Sequence, residues 1–348
     1  MGKPAKPSPG HWLERAWARN SPWLCLGKPI AAFYGAALAL RHTAFSRGWR
    51  RTAPLRVPVI VVGNVIVGGA GKTPTVIALV QFLQRRGYRP GVISRGYGRS
   101  GNGVQVLRAD SKASDVGDEP VLIALRTDAA VAVGRDRVLA ARTLLAAQPQ
   151  IDVIVSDDGM QHLALPRNIS ILLIDERGFG NGQLLPAGPL RAPIPSLDAK
   201  LLVLYNAPQP TTPLPGFVVR RGLTGAVAWQ DWRNGYPAQM ASLQALRGHA
   251  LVAAAGMAQP ERFFLMLEAQ GLQFKRLPLP DHHAFAVLPW PADTPHVLLT
   301  EKDAVKLVGL ELGRTQVWVV ALDFEPPPEF FAALQSQLAA WPPVTTDL

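Results

Sequence analysis

The sequence holds one cysteine, Cys25, in 348 residues. A disulfide within the chain is therefore excluded, which fits a reducing compartment, and so is a cysteine-rich zinc site. Charged residues are scarce, at 18% against 48% hydrophobic. The chain is therefore not a disordered polyelectrolyte, and it has apolar content enough for roughly two domains. No run of Lys and Arg interleaved with aromatics occurs, and no RNA- or DNA-reading signature. The formal net charge is nonetheless +11, which favours an anionic partner. With nucleic acid unsupported, that partner is expected to be an anionic lipid or a phosphorylated substrate. Long apolar runs are missing too. The uninterrupted stretch Pro29–Leu40 is about 12 residues, short of the roughly 20 that cross a hydrocarbon core of about 30 Å.

Residues 1–55 differ from the rest. Lys3, Lys6, Arg15 and Arg19 are mixed with Trp12, Trp17 and Trp23, the apolar stretch carries Phe33 and Tyr34, and Arg41, Arg47, Arg50 and Arg51 follow. Lys28 and Pro29 block extension of the stretch towards the N-terminus. Aromatic and basic residues around a short apolar helix suit a segment lying in a membrane interface. A core helix packed on the domain behind it is the alternative. A cleaved signal peptide is rejected, because the nucleotide site described next needs cytoplasmic ATP.

From Val57 strands and helices alternate. Val57–Val62, Arg89–Ser94, Ala129–Val133, Ile151–Ser156 and Ile169–Ile174 read as buried strands, and Thr75–Arg86, Pro120–Arg126 and Arg135–Ala147 as helices. This rhythm predicts an α/β fold with a doubly wound parallel sheet over residues 56–198. Arg177–Pro195, rich in Gly and Pro, reads as a long functional loop. Strands at Leu201–Tyr205, Ala250–Ala254, Gln273–Leu277, His296–Leu299 and Gln316–Ala321, with helices at Pro260–Ala269, Asp303–Val308 and Pro328–Leu338, predict a second, smaller α/β domain over residues 199–348.

The strongest local signal is Gly68-Gly69-Ala70-Gly71-Lys72-Thr73, followed by Pro74. It joins a strand to a helix, the context a P-loop needs. Glycines let backbone N–H groups face phosphate oxygens, and the helix N-terminus favours negative charge. Lys72 would reach the β- and γ-phosphates of ATP, and the Thr73 hydroxyl would sit on Mg²⁺. The strict pattern has Gly where this chain has Ile66. A Gly-rich turn before an ordinary helix is the competing reading. Downstream, the apolar strand Ile151–Ser156 ends in Asp157 and Asp158. Carboxylates there can hold Mg²⁺ beside the P-loop, or simply make a turn before Gly159. Strand alternation points the two acids differently.

An ordered set of further motifs runs from about Val57 to Leu307: Gly63-Asn64, Ser94-Arg95-Gly96-Tyr97-Gly98-Arg99, Gly117-Asp118-Glu119-Pro120, Asp157-Asp158-Gly159-Met160-Gln161-His162, Arg177-Gly178-Phe179-Gly180-Asn181-Gly182, Leu185-Pro186-Ala187-Gly188-Pro189-Leu190-Arg191, Asp281-His282 and Thr300-Glu301-Lys302-Asp303-Ala304. With the P-loop, the set resembles the tetraacyldisaccharide 4′-kinases of lipid A biosynthesis. The resemblance implies transfer of the γ-phosphoryl group of ATP to the 4′-hydroxyl of an acylated glucosamine disaccharide 1-phosphate, giving lipid IVA. It also implies two α/β/α domains flanking a cleft, and a peripheral enzyme on the cytoplasmic face of a bacterial inner membrane.

A sugar hydroxyl is a poor nucleophile, so a base should take its proton during transfer. Asp118 is the candidate. Its position alone suits a helix cap beside Glu119; the resemblance implies the catalytic base. It also implies that His282 pairs with Asp118, which would orient the carboxylate and tie activity to domain closure. His283 is read as a bystander. Tyr97 and Asn64 are implied to contact substrate or nucleotide. Arg191 could grip a phosphate with two hydrogen bonds, although Ala192 follows it where the family often has Glu. Glu119 is a further metal candidate, and Arg177 a secondary site residue. Thr300 with Asp303 reads as a capping box, not as a guanine reader. The alternatives to a lipid kinase are a P-loop ATPase or GTPase switch and a membrane-anchored nucleotide-binding scaffold.

Overall fold

A computed structural model describes residues 9–19 and 21–343; Lys3, Lys6 and the Trp12 side chain lie outside what is described. Eight strands form the first sheet: β1 (Val59–Gly63), β2 (Pro90–Ser94), β3 (Gln105–Val106), β4 (Ala130–Val133), β5 (Val153–Asp157), β6 (Ile169–Asp175), β7 (Leu201–Asn206) and β8 (Phe217–Val218). Their spatial order is β3-β4-β2-β5-β1-β6-β7-β8. All neighbours are parallel except β3 with β4. A parallel sheet is covered on both faces, which is why its strands are near-continuous Val, Ile and Leu. Along β1, Ile60 and Val62 pack with Val76, Val80 and Leu83 of the helix Lys72–Arg85. Val59 and Val61 point the other way, onto Val138, Ala141 and Leu144 of the helix Arg137–Ala147. The period of two along the strand thus feeds two cores.

The second sheet holds β9 (Arg220–Ala228), β10 (Leu251–Ala255), β11 (Lys275–Pro278), β12 (His296–Thr300) and β13 (Gln316–Glu325), in the order β11-β10-β12-β13-β9. Here the structure corrects the expected partition. Strand β7 had been assigned to the second unit, but it pairs in register with β6, and β8 pairs with β7. The first sheet therefore runs on to Val218 and the second begins at Arg220. The C-terminal helix Pro328–Leu338 also returns to the first unit: Phe331 stacks on Phe82, and Phe330 meets Phe217 edge-on. Strand β9, unread in the sequence, runs antiparallel to β13 with a register shift between Ala321 and Leu322. Its Arg-Arg-Gly start lacks the apolar run that marks a buried strand.

The N-terminal helix also departs from expectation. A 3₁₀ turn, Pro22–Gly27, leads straight into the α-helix Lys28–Ser46. Together, Pro22–Ser46 is one stretch long and apolar enough to cross a membrane by length and composition, so the 12-residue count was too short. Pro29 does not block it, because proline is tolerated in the first turn of a helix. The stretch touches the body along one side only. Tyr34 Oη donates to Arg191 O at 2.8 Å and Ala31 is buried, while Trp17, in the preceding helix Pro9–Ala18, donates Nε1 to Pro186 O at 3.0 Å. Trp23, Leu26, Ile30, Phe33 and Leu40 face outward, exposed.

Candidate active site

Strand β1 delivers the chain into the glycine loop at the centre of the sheet. Gly68 (φ 91°) and Gly71 (φ 90°) take left-handed conformations that side chains with a Cβ rarely adopt. Ile66 is buried with Leu172, Leu190 and Tyr205 and bridges to Leu190. The turn that a glycine would make at that position is made two residues later, at Gly68. The loop is braced from behind. Asn206, at the end of β7, donates Nδ2 to Ala70 O at 2.9 Å and fills the space where a Cβ on Gly71 would stand. Arg177, paired with Asp175 at 2.7 Å, donates to Val67 O at 3.1 Å and Gly69 O at 3.4 Å. No side chain caps the helix Lys72–Arg85, so its first N–H groups remain free to meet an anion. Lys72 Nζ lies 3.3 Å from Asn64 Oδ1 and 4.0 Å from Asp158.

The two acids find different partners: β5 stops at Asp157, and Asp158 turns left-handed (φ 52°), out of strand geometry. Arg191 grips both oxygens of Asp158 and also donates to Asn64 O at 3.1 Å. Burial opposes the charge on Asp158, but the Arg191 hydrogen bond and the nearby Lys72 hold its pKa below the usual carboxylate value. Asp157 is the opposite case. Burial, with Glu119 and Asp158 nearby, pushes its pKa up to about 7. Ser94 Oγ donates to Asp157 Oδ2 at 3.0 Å, while Oδ1 is buried without a partner. That orphaned oxygen beside the P-loop fits a cation. Among the described residues no group of three His, Cys, Asp or Glu could hold a metal unaided. This suits Mg²⁺, which takes one or two carboxylates and completes its shell with water and phosphate oxygens.

The raised pKa of Asp157 has a sign that can be tested. Between its ordinary value of 3.8 and about 7, the folded state holds a proton that the unfolded chain has lost, so stability falls as pH rises through that window. Melting curves of nucleotide-free protein from about pH 5 to pH 8 should show a falling Tm. Asp157→Asn should flatten that fall, and an equal fall in the variant would refute the assignment.

Facing the P-loop is a second cluster. The helix Asp118–Thr127 starts at Asp118, with Gly117 at its cap position. Asp118 is therefore not the cap. Its carboxylate crosses to the second unit, where His282 Nδ1 lies 2.9 Å from Oδ2 and 3.2 Å from Oδ1. Lys306 Nζ stands 3.5 Å from Oδ2. Burial would raise the Asp118 pKa, but the His282 hydrogen bond and the charges of Lys302 and Lys306 win, taking it to about 2. Asp118 is 6% exposed and sits behind His282, which lines the cleft with Glu119, Tyr97 and Lys302. The Tyr97 and His282 rings are 4.9 Å apart. Glu119, a metal candidate from sequence, is paired with Lys302 at 3.4 Å. Thr300 and Asp303 form the expected cap, and Asp303 also accepts from Gly256 N at 2.8 Å.

Between the clusters lies a cleft of about 1360 Å³, lined from the first unit by Gly68–Pro74, Asp157, Asp158 and Arg191, and from the second by Met257, Arg262, His282 and Lys302. Further ion pairs cross it. Arg126 meets Glu301, which Trp232 Nε1 also reaches at 3.1 Å, and Arg262 meets Glu176 at 2.8 Å. Lys72, Thr73, Pro74, Asp157, Asp158, Glu119, Arg191, Tyr97 and His282 thus share one cleft; Asn64 and Asp118 back it. Sequence reasoning missed Asn206 and the Arg126–Glu301 pair. Asn206 had a signal, since it ends a strand of this sheet on the ligand side. The arginine pair had none.

Residues 23–339 match the family model of tetraacyldisaccharide-1-P 4′-kinase. The chain is 54% identical over 338 residues to the tetraacyldisaccharide 4′-kinase of Methylibium petroleiphilum, covering 95% of this chain and 94% of that one. To the protein of the same name from Leptothrix cholodnii it is 47% identical over 333 residues, covering 94% and 96%. Its structure is similar to that of LpxK from Aquifex aeolicus in complex with ATP, with a TM-score of 0.76 and 26% identity over 90% of this chain and 98% of that one.

Proposed function

The chain belongs to the tetraacyldisaccharide-1-P 4′-kinase family, and on that footing we propose which of its residues carry the reaction. It is an ATP-dependent lipid kinase that phosphorylates the 4′-hydroxyl of tetraacyldisaccharide 1-phosphate in lipid A biosynthesis. The N–H groups of Gly68–Lys72 and the Lys72 ammonium take the triphosphate. Thr73 and Asp157 would hold the magnesium that accompanies ATP, with Asp158 beside them, and the ion would supply charge neutralisation for the transferring phosphoryl group. Arg191 holds Asp158 in place, while Tyr97 borders the space left for sugar and phosphate and Asn64 backs it.

The observation that carries this assignment is the Asp118–His282 hydrogen bond across the cleft from Lys72. The two side chains act as one proton-accepting pair for the sugar hydroxyl. Asp118, ionised at rest, takes the proton, and His282 orients it from the other unit, so the pair exists only when the units are together. The test is transfer of labelled phosphate from ATP to the acylated disaccharide 1-phosphate. His282→Ala should lower turnover by about 10²-fold while magnesium-dependent ATP binding persists. Near-normal turnover would remove the pair from the mechanism.

The outward row of Trp23, Ile30, Phe33 and Leu40, with Arg41 and Arg47 beyond it, supports a helix seated in the cytoplasmic face of the inner membrane. Ile30→Asp with Phe33→Asp should shift the protein from floating with anionic vesicles to sedimenting free of them, while detergent-dispersed substrate is still phosphorylated. Unchanged flotation would refute the seat.

A further inference from the structure

Lys302 is the second residue of the short helix Glu301–Ala304 that follows β12. Its ammonium lies 3.2 Å from Asp281 Oδ1, 3.4 Å from Glu119 Oε1 and 3.4 Å from His282 Nε2. Glu119 belongs to the first unit, and the other two partners to a loop of the second. Burial would drive the proton off Lys302, but Glu119, Asp118 and Asp281 hold its pKa above the ordinary lysine value, so it is an ammonium. An ammonium has donors and no acceptor. Its partner on the imidazole must therefore accept, which puts a lone pair on Nε2 and the ring proton on Nδ1, facing Asp118. The groups around His282 are then accounted for. Asp118 takes Nδ1–H, Lys302 takes Nε2, Asp281 Oδ1 accepts from the His282 backbone N–H at 3.0 Å and stands 3.8 Å from Nε2, with Lys302 bonded to both, and the Tyr97 ring lies alongside. Lys306 reaches Asp118 and Asp303 and stands one contact further away.

We propose that Lys302 is a positioning residue for phosphoryl transfer, which fixes the His282 ring with Nδ1–H towards Asp118 and so keeps that carboxylate an oriented acceptor. This rests on the reading of Asp118 and His282 as the proton-accepting pair. Without the ammonium, Nε2 loses its donor and Asp281 Oδ1, 3.8 Å away and no longer held by Lys302, competes with Asp118 for the ring proton. A bare Nδ1 then faces a carboxylate, and the contact that orders Asp118 becomes repulsive.

The test is Lys302→Met, assayed with labelled ATP in the wild-type and His282→Ala backgrounds. It is joined by ¹⁵N NMR of histidine-labelled full-length protein, which separates the two imidazole tautomers. Lys302→Met is expected to lower kcat by about tenfold to 100-fold, the scale of losing a residue that orients a reactive group, with KM for ATP unchanged. In the His282→Ala background the same substitution should cost nothing more, because it acts through the missing ring. The His282 resonances should move towards the Nε2–H form. Lys302→Gln, which keeps an N–H donor and guards against a misfolded methionine variant, should retain more turnover than Lys302→Met. The inference is overturned if Lys302→Met multiplies the His282→Ala loss by its full factor, or if the Nδ1–H tautomer survives in it. Should His282→Ala itself turn over normally, the pair reading fails, and this inference fails with it.

Discussion

Lys72→Ala is expected to abolish phosphoryl transfer, a fall of at least about 10³-fold, or roughly 4 kcal/mol of transition-state stabilisation. The structure supplies the reason. Lys72 is the cation at the mouth of the glycine loop, held by Asn64 Oδ1 at 3.3 Å, with the nearest oxygen of Asp158 at 4.0 Å. Neither contact is tight, so the ammonium is positioned without being neutralised. A phosphoryl group in transit spreads charge over its outer oxygens, and the catalyst's main task is to place opposing charge there beforehand. No other lysine of the described chain lies at the glycine loop, so nothing stands in for Lys72. The fold should tolerate the change, because Asn206 and Arg177 hold the loop through its carbonyls. The measurement is single-turnover transfer of labelled phosphate, with circular dichroism to show intact structure. Transfer within tenfold of wild type would remove Lys72 from the chemistry.

Asp118→Ala carries the second large effect, a drop in kcat of about 10²- to 10⁴-fold, the range for losing a general base. Magnesium-dependent ATP affinity should survive, since the Asp118 carboxylate meets His282 and Lys306 and not the glycine loop. Had Asp118 been a helix cap, the cost would fall on stability, about 1 kcal/mol, and not on rate. The helix begins at Asp118 itself, and the carboxylate reaches out of it to His282. Asp118→Asn is the sharper variant, because it keeps the shape and removes the charge. It should be as slow as the alanine. If the asparagine variant turns over normally, negative charge at residue 118 is not used.

The site was legible in the sequence wherever one residue type alone can meet a local demand. Only glycine accepts the backbone at Gly68 and Gly71, and a lysine and a threonine at a helix start point to phosphate and metal. The acids ending β5 announced themselves by following an apolar strand. Long-range facts were not legible. A strand that completes one sheet looks locally like a strand that starts another, which is why β7 was assigned to the wrong unit. Strand β9 lies half exposed and mixes Arg, Gly and Thr, so it shows neither alternation nor an apolar run. The N-terminal helix was cut short at Leu40 because apolar residues were counted. The backbone instead follows helix propensity, and Arg41, His42 and Thr43 continue it without penalty. The partners of Lys302 come from residues 119, 281 and 282, and no spacing in the chain announces that meeting.

Arg191 has two attachments that belong to different scales. Its carbonyl takes the hydroxyl of Tyr34, from the outward-facing N-terminal helix, while its guanidinium clasps Asp158. One residue thus ties the outward-facing helix to the reaction centre. If that helix lodges at a bilayer surface as proposed, the catalytic machinery hangs at a set altitude over the lipid heads, like a lathe tool clamped to its bed, and a sugar whose tails are sunk in that bilayer passes beneath at the matching height.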